Sequence, residues 1–199
     1  MSPVLAPSRS ATTEESTLVS RAQGGDVAAF EQLASAHTDR LYAVVLRLVG
    51  DRGEAEDVVQ EALLRAWRAI GRFQRRAAFA TWLHRIAVNE ANRTLGKRAQ
   101  AGNSVPIDDE SLKLSAPPHE GPARTAERGE LRRSLEVAIA ELAPPYRTAL
   151  VLRDIEGLST RDAAAIAGVG EAAFKSRLHE ARMRVRAAIG DAALLAAPS

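Results

Sequence analysis

At 199 residues, with 46% hydrophobic, 26% charged and only 4% aromatic side chains, the chain has the makeup of a soluble globular protein with room for one large domain or two small ones. The lack of cysteine excludes a disulfide scaffold, a thiolate metal site and a cysteine nucleophile, and it fits a reducing compartment. A formal charge of +2 says little alone, so any case for a nucleic-acid partner rests on where the basic residues fall.

In chain order, residues 1–17 are rich in Ser, Thr, Pro and Ala, show no period, and read as a flexible tail. Arg9 is followed by no long apolar core, so no secretory signal is expected. Asp26, after Gly24-Gly25, is placed to cap a helix carrying Phe30, Leu33, His37, Leu41, Val44 and Leu48 at helical spacing, which Gly50 closes. Asp51 can cap a second helix with an apolar stripe of Ala55, Val58, Val59, Ala62 and Ala66. A connector from Gly71 to Ala78 leads to a third helix near Thr81, with Trp82, Leu83, Ile86 and Ala87 inward and a basic end from Arg93 to Arg98. The first domain therefore spans residues 18–98.

Residues 99–126 hold Pro106, Pro117, Pro118 and Pro122 with the acidic run Asp108-Asp109-Glu110, and read as a flexible linker. A second domain, residues 127–189, opens with a helix bearing Leu131, Leu135, Ala138, Ile139 and Leu142. Pro144-Pro145 ends that helix and starts the next, which runs to Gly157. Residues 190–199 form a C-terminal tail whose apolar stretch, broken by Gly190 and Asp191, is far shorter than the roughly 20 residues of a membrane span. The fold class expected is all-α: two small helical domains on a flexible linker, the second a helix-turn-helix.

That last assignment rests on the end of the chain. Ser159-Thr160-Arg161-Asp162 has the form of a capping box, and Gly168 suits the left-handed residue that ends a helix. Val169 and Phe174 flank Gly170 at the spacing of a hydrophobic staple. In the helix that follows, Phe174, Leu178, Ala181 and Val185 share one side, while Lys175, His179, Arg182 and Arg186 share another. A basic helix face by itself is more often solvated surface. Joined to a capped helix and a tight glycine turn, it reads as a DNA-recognition helix. Glu171, Ala172, Lys175, Ser176 and His179 are then base-reading candidates, and Arg177 and Arg182 phosphate contacts.

Three segments in order resemble a known family. Residues 53–67 (GEAEDVVQEALLRAW), 79–89 (FATWLHRIAVN) and 174–182 (FKSRLHEAR) are similar to segments of RNA polymerase sigma factors of the sigma-70 family. The absence of a further promoter-reading domain between the blocks resembles the small extracytoplasmic-function (ECF) subfamily. The resemblance covers residues from about Leu18 to Ile189 and implies three sites. Asp57, Gln60 and Glu61, on one helix face, would dock on the clamp helices of core RNA polymerase. Phe73, Gln74, Arg75 and Arg76, with Arg85, Asn89, Asn92 and Arg93, would hold melted bases of the downstream (−10) promoter element. Trp82 suits the core as well as DNA. The last helix would read the upstream (−35) element. The sequence departs from the family at Arg93, where many relatives carry aspartate, and at Ala172-Ala173-Phe174, where a Gly-Thr-Val run is frequent.

The implied partners are core RNA polymerase, promoter DNA and an anti-sigma factor, in the cytoplasm and without membrane insertion. No cofactor and no catalytic activity are expected, since His37, His84, His119 and His179 lack metal-ligand spacing and no phosphate loop is present. The rival reading is a helix-turn-helix regulator that binds duplex DNA without polymerase. The Asp57/Gln60/Glu61 face discriminates the two, because such a regulator has no use for it.

Overall fold

The computed structural model describes residues 9–101 and 133–195, and the side chains of residues 14–101 and 133–190. The fold is all-α, with no strand among the described residues, and forms two helical domains. The first holds α1 (Arg9–Gln23), α2 (Val27–Val49), α3 (Arg52–Ala69) and α4 (Phe79–Gln100), with a 3-10 turn at Ile70–Arg72. The second holds α5 (133–141), α6 (Pro144–Leu150), α7 (Thr160–Ala167) and α8 (Glu171–Leu195). A wider π-type turn, Val151–Ile155, extends α6. The acidic run at 108–110, with the rest of the expected linker beyond residue 101, lies outside the described residues.

Local chemistry explains the helix limits. Asp26 Oδ1 accepts the amide of Ala29 at 3.1 Å, and Asp51 Oδ1 that of Glu54 at 2.8 Å, satisfying N–H groups that lack partners within their helices. Gly50, at φ 79°, closes α2 in the left-handed conformation and returns its amide to Leu46 O. Between the two caps α2 turns directly into α3, so their apolar stripes face each other.

The first domain's core is aliphatic along α2, α3 and α4 and aromatic at one end. Phe30, Phe73, Phe79, Trp67 and Trp82 pack ring to ring, with centroids 4.9 Å apart for Phe73–Trp82, 5.3 Å for Phe30–Trp67 and 6.0 Å for Phe73–Phe79. Such tilted and edge-on contacts add specificity to burial, and they fix where the connector between α3 and α4 begins. Trp82 is half-buried within this cluster.

Both ends differ from the sequence expectation. Residues 9–17 are the first part of α1 and not a tail, because Val19 and Ala22 bury against the domain and carry the polar residues before them into the same helix. At the other end α8 continues through Gly190 to Leu195, beyond the expected boundary at 189.

The domains meet along α4 and the end of α2. The Arg147 guanidinium, 9% exposed, donates from Nη1 to Leu48 O of α2 at 2.7 Å, and from Nη2 to Leu142 O at 3.3 Å and to Ala140 O. Burial, and secondarily the charge of Arg98, lowers its pKa to about 10, so it stays protonated at neutral pH. Thr148 Oγ1, also buried, donates to Asn92 Oδ1 of α4 at 3.0 Å.

Candidate nucleic-acid interface

α7 and α8 form the helix-turn-helix. The Ser159 hydroxyl accepts the amide of Asp162 at 3.1 Å and donates to Asp162 Oδ2 at 2.7 Å, so the carboxylate bonds the capping hydroxyl itself. Gly168, at φ 68°, ends α7: its amide reaches Ala165 O (3.3 Å) and the amide of Val169 reaches Ala164 O (3.1 Å), the paired bonds of a Schellman turn. Gly170 O then accepts the amide of Phe174 at 2.9 Å in the first turn of α8.

This turn sets the rotation of α8. Phe174, Leu178, Ala181 and Val185 are buried, with Phe174 fully so, and anchor the helix on the domain core. Glu171, Ala172, Lys175, Ser176 and His179 are exposed along its first turns, and Arg177 is half-buried. Arg182 is exposed but engaged: Nε and Nη2 grip the two carboxylate oxygens of Asp154 at 2.9 and 2.6 Å. Arg184 pairs with Glu180 at 2.8 Å and lies 4.4 Å over the Tyr146 ring. Hence Arg182 and Arg184 are held within the protein, while Glu171, Lys175 and His179 stand exposed in the first turns, the part of a recognition helix that enters the groove.

On α3, Asp57 and Gln60 are exposed opposite the buried stripe of Ala55, Val58, Val59, Ala62 and Ala66, and Leu64 is 50% exposed beside them. Glu61 is half-buried and leads an ion-pair chain: Glu61 to Arg65 at 2.7 Å, Arg65 to Glu90 at 2.9 Å, and Glu90 to Arg93 at 3.4 Å. This chain ties α3 to α4 and occupies Arg93 in part.

The connector residues separate into different roles. Phe73 is 7% exposed, its ring turned into the aromatic cluster. Gln74 and Arg76 are exposed. The Arg75 guanidinium lies on α1, 2.9 Å from Ser16 Oγ and 2.7 Å from Ser20 Oγ. On α4, Asn89 is exposed, Asn92 bonds Thr148, and the Arg85 guanidinium stands 3.6 Å from where a side chain at Gly168 would begin. Sequence periodicity gave no warning of α1 as a neighbour of the connector, or of Arg147 as a contact between the domains; contacts between distant segments leave no local pattern.

Comparison with known proteins agrees with this architecture. Residues 33–100 match the model for Sigma-70 region 2, and residues 132–185 that for Sigma-70, region 4. The chain is 34% identical to the RNA polymerase sigma-H factor of Pseudomonas aeruginosa over 181 residues, covering 88% of this chain and 94% of that one. It is 35% identical to the ECF RNA polymerase sigma-E factor of Escherichia coli K12 over 173 residues, covering 84% and 90%. Among solved structures it resembles the sigma factor RpoE, crystallised with the anti-sigma factor NepR from Bartonella quintana (TM-score 0.58, 26% identity, 82% of this chain and 98% of that one). The fold is shared with CnrH in complex with the cytosolic domain of CnrY (TM-score 0.62, 24% identity, 89% and 98% covered). Two helical domains of these two types, in this order and over nearly the whole length of the sigma-H and sigma-E factors, make the chain a member of the ECF subfamily of RNA polymerase sigma factors, the family that supports promoter-specific transcription initiation.

Proposed function

We propose that the chain binds core RNA polymerase through the α3 face of Asp57, Gln60 and Glu61, reads the upstream promoter element as duplex with the start of α8, and traps melted bases of the downstream element with residues 74–76 and the exposed side of α4, Phe73 serving as the buried foot of that connector. It catalyses no reaction itself. Binding free energy alone stabilises the melted strand, and the protein works in the cytoplasm, where polymerase and promoter are. The division of α8 carries this reading: Phe174 and Leu178 lock the helix down while Lys175, Ser176 and His179 stand exposed at its start. An anti-sigma factor is the expected regulator, a role supported by the partner present in the RpoE complex.

The test is transcription by purified core RNA polymerase on a library of genomic promoter fragments, with and without the chain, using Asp57→Lys/Glu61→Lys as control. Discrete start sites that depend on the chain and vanish with the double variant are the expected result. Duplex binding with no redirection of polymerase would replace this reading by that of a stand-alone regulator.

A further inference from the structure

Arg75 is the one non-glycine residue with positive φ (54°) among the described residues, and it lies in the middle of the connector that the proposed function makes the base trap. A left-handed arginine is strained and persists only where its surroundings hold it. Here the surroundings are α1. Arg75 Nη1 donates to Ser16 Oγ at 2.9 Å, and Nη2 to Ser20 Oγ at 2.7 Å and to Gln23 Oε1 at 3.3 Å. Gln23 uses its other end as well: Nε2 donates to Ile70 O at 3.2 Å and to Phe73 O at 2.9 Å. Glu15 Oε1 accepts the amide of Phe79, at the start of α4, at 3.4 Å.

Residues 16, 20 and 23 repeat at helical spacing, so one side of α1 presents them together, beside the Val19 and Ala22 that bury it. This one helix thereby fixes the connector where it begins, at its strained centre and where it ends. Ser16, Val19 and Glu15 also form one wall of a small cleft whose other wall is Phe73, Arg75, Ala77, Ala78 and Phe79. Gln74 and Arg76, the exposed neighbours of Arg75, take their direction from a backbone held in this way.

We propose that Glu15, Ser16, Ser20 and Gln23 are positioning residues: Ser16, Ser20 and Gln23 through Arg75, and Gln23 and Glu15 through the backbone at either end, fix the shape of the connector and so set which melted base it accepts. This rests on the reading of the connector as a base trap. It also changes the part given to Arg75, from a ligand of DNA to the clasp between α1 and the trap.

The experiment uses holoenzyme assembled from core polymerase and the full chain. The probes are fluorescent single-stranded oligonucleotides covering the downstream element of a promoter found in the transcription assay, with each base in turn at each position. Ser16→Ala/Ser20→Ala is expected to lower discrimination between the preferred base and the others by about tenfold, the equivalent of one lost charge-assisted hydrogen bond. Polymerase affinity and upstream-duplex binding should stay unchanged. Ser16→Thr/Ser20→Thr, which keeps both hydroxyls, should keep the discrimination. Arg75→Gly, which tolerates the left-handed backbone without the clasp, should lose it.

If the alanine pair binds every oligonucleotide as the parent does, or more tightly, while Arg75→Gly loses affinity uniformly across bases, Arg75 is a phosphate ligand and the proposal is overturned. Amide hydrogen exchange over residues 73–79 in the free chain separates the remaining failures. Faster exchange in the alanine pair with unchanged discrimination refutes the selectivity role and leaves the base trap standing. A parent holoenzyme with no base preference on single strands removes the trap and the proposal together.

Discussion

Arg47 of α2 and Glu156, at the end of the turn that extends α6, meet at 2.5 Å across 109 residues of chain and join the two domains. The Glu156 carboxylate is only 10% exposed, and Arg40 approaches its other oxygen at 3.9 Å. With Arg147 on Leu48 O and Thr148 on Asn92, this contact holds the domains in an arrangement where Asn92 is already engaged and Arg85 lies beside the helix-turn-helix. Melted DNA would reach Asn92 only by displacing Thr148. Glu156→Arg should remove roughly 2 kcal/mol of inter-domain attraction, a value between those of exposed and buried pairs. The chain has no cysteine of its own, so a cysteine pair at Gln32 and Arg161 can carry a donor and acceptor dye. Energy transfer should fall in Glu156→Arg and recover in Arg47→Glu/Glu156→Arg; an unchanged signal would mean that apolar packing alone holds the domains.

On α3 the two carboxylates of the proposed docking face differ in what they have to offer. Glu61 is already bonded to Arg65, whereas Asp57 stands exposed in an acidic neighbourhood with Glu56. Asp57→Ala should therefore weaken core polymerase binding by about tenfold and Glu61→Ala by about twofold, since a prepaired charge yields less to a new partner. Titration of the labelled chain with core polymerase, followed by anisotropy, measures both. Equal effects would place the Glu61–Arg65 pair itself in the interface.

Much of this arrangement was legible locally. Asp26, Asp51 and Ser159 cap the helices that their positions announce, Gly50 and Gly168 end theirs in the left-handed conformation, and the apolar stripes of α3 and α8 are the buried ones. Short-range rules of hydrogen bonding and period suffice for such features. They fail for residues 9–17, whose helix depends on burial of Val19 and Ala22 further along, and for the connector, where Phe73 joins a core assembled from four segments. Nor do they foresee the contacts of Arg75, Asn92 and Arg182, whose residue type suggests nucleic acid and whose partners in the free chain are Ser16, Thr148 and Asp154.

Along α8 the basic residues should separate by salt dependence. Lys175 is exposed near the helix start, while Arg182 is held by both oxygens of Asp154. Lys175→Ala should reduce the slope of log K against log salt for upstream-duplex binding by about one phosphate contact. Arg182→Ala should leave that slope nearly unchanged and lower thermal stability by roughly 0.5–1 kcal/mol, as loss of an exposed bidentate pair does. Duplex titrations at several salt concentrations, alongside melting curves, test the pair. A slope change from Arg182→Ala alone would show that Asp154 releases it to DNA.

Stability should depend on pH through His84. The ring is buried in α4; burial lowers its pKa below the ordinary 6.5, outweighing the bond between Nδ1 and Ala80 O at 2.8 Å, and the charges of Arg40 and His37 act in the same direction as burial. His37, half-buried nearby, is lowered too, again chiefly by burial. A histidine whose folded pKa lies below its unfolded value binds fewer protons in the native state, so its contribution is fully present above 6.5 and is lost as pH falls toward the folded value. Urea melts between about pH 7.5 and about pH 5 should show stability declining with acid, and His37→Gln/His84→Gln should flatten that decline. The sign is fixed by desolvation: an opposite slope, with stability rising as pH drops through this window, would mean that the imidazoles gain a charge partner in the fold rather than lose water.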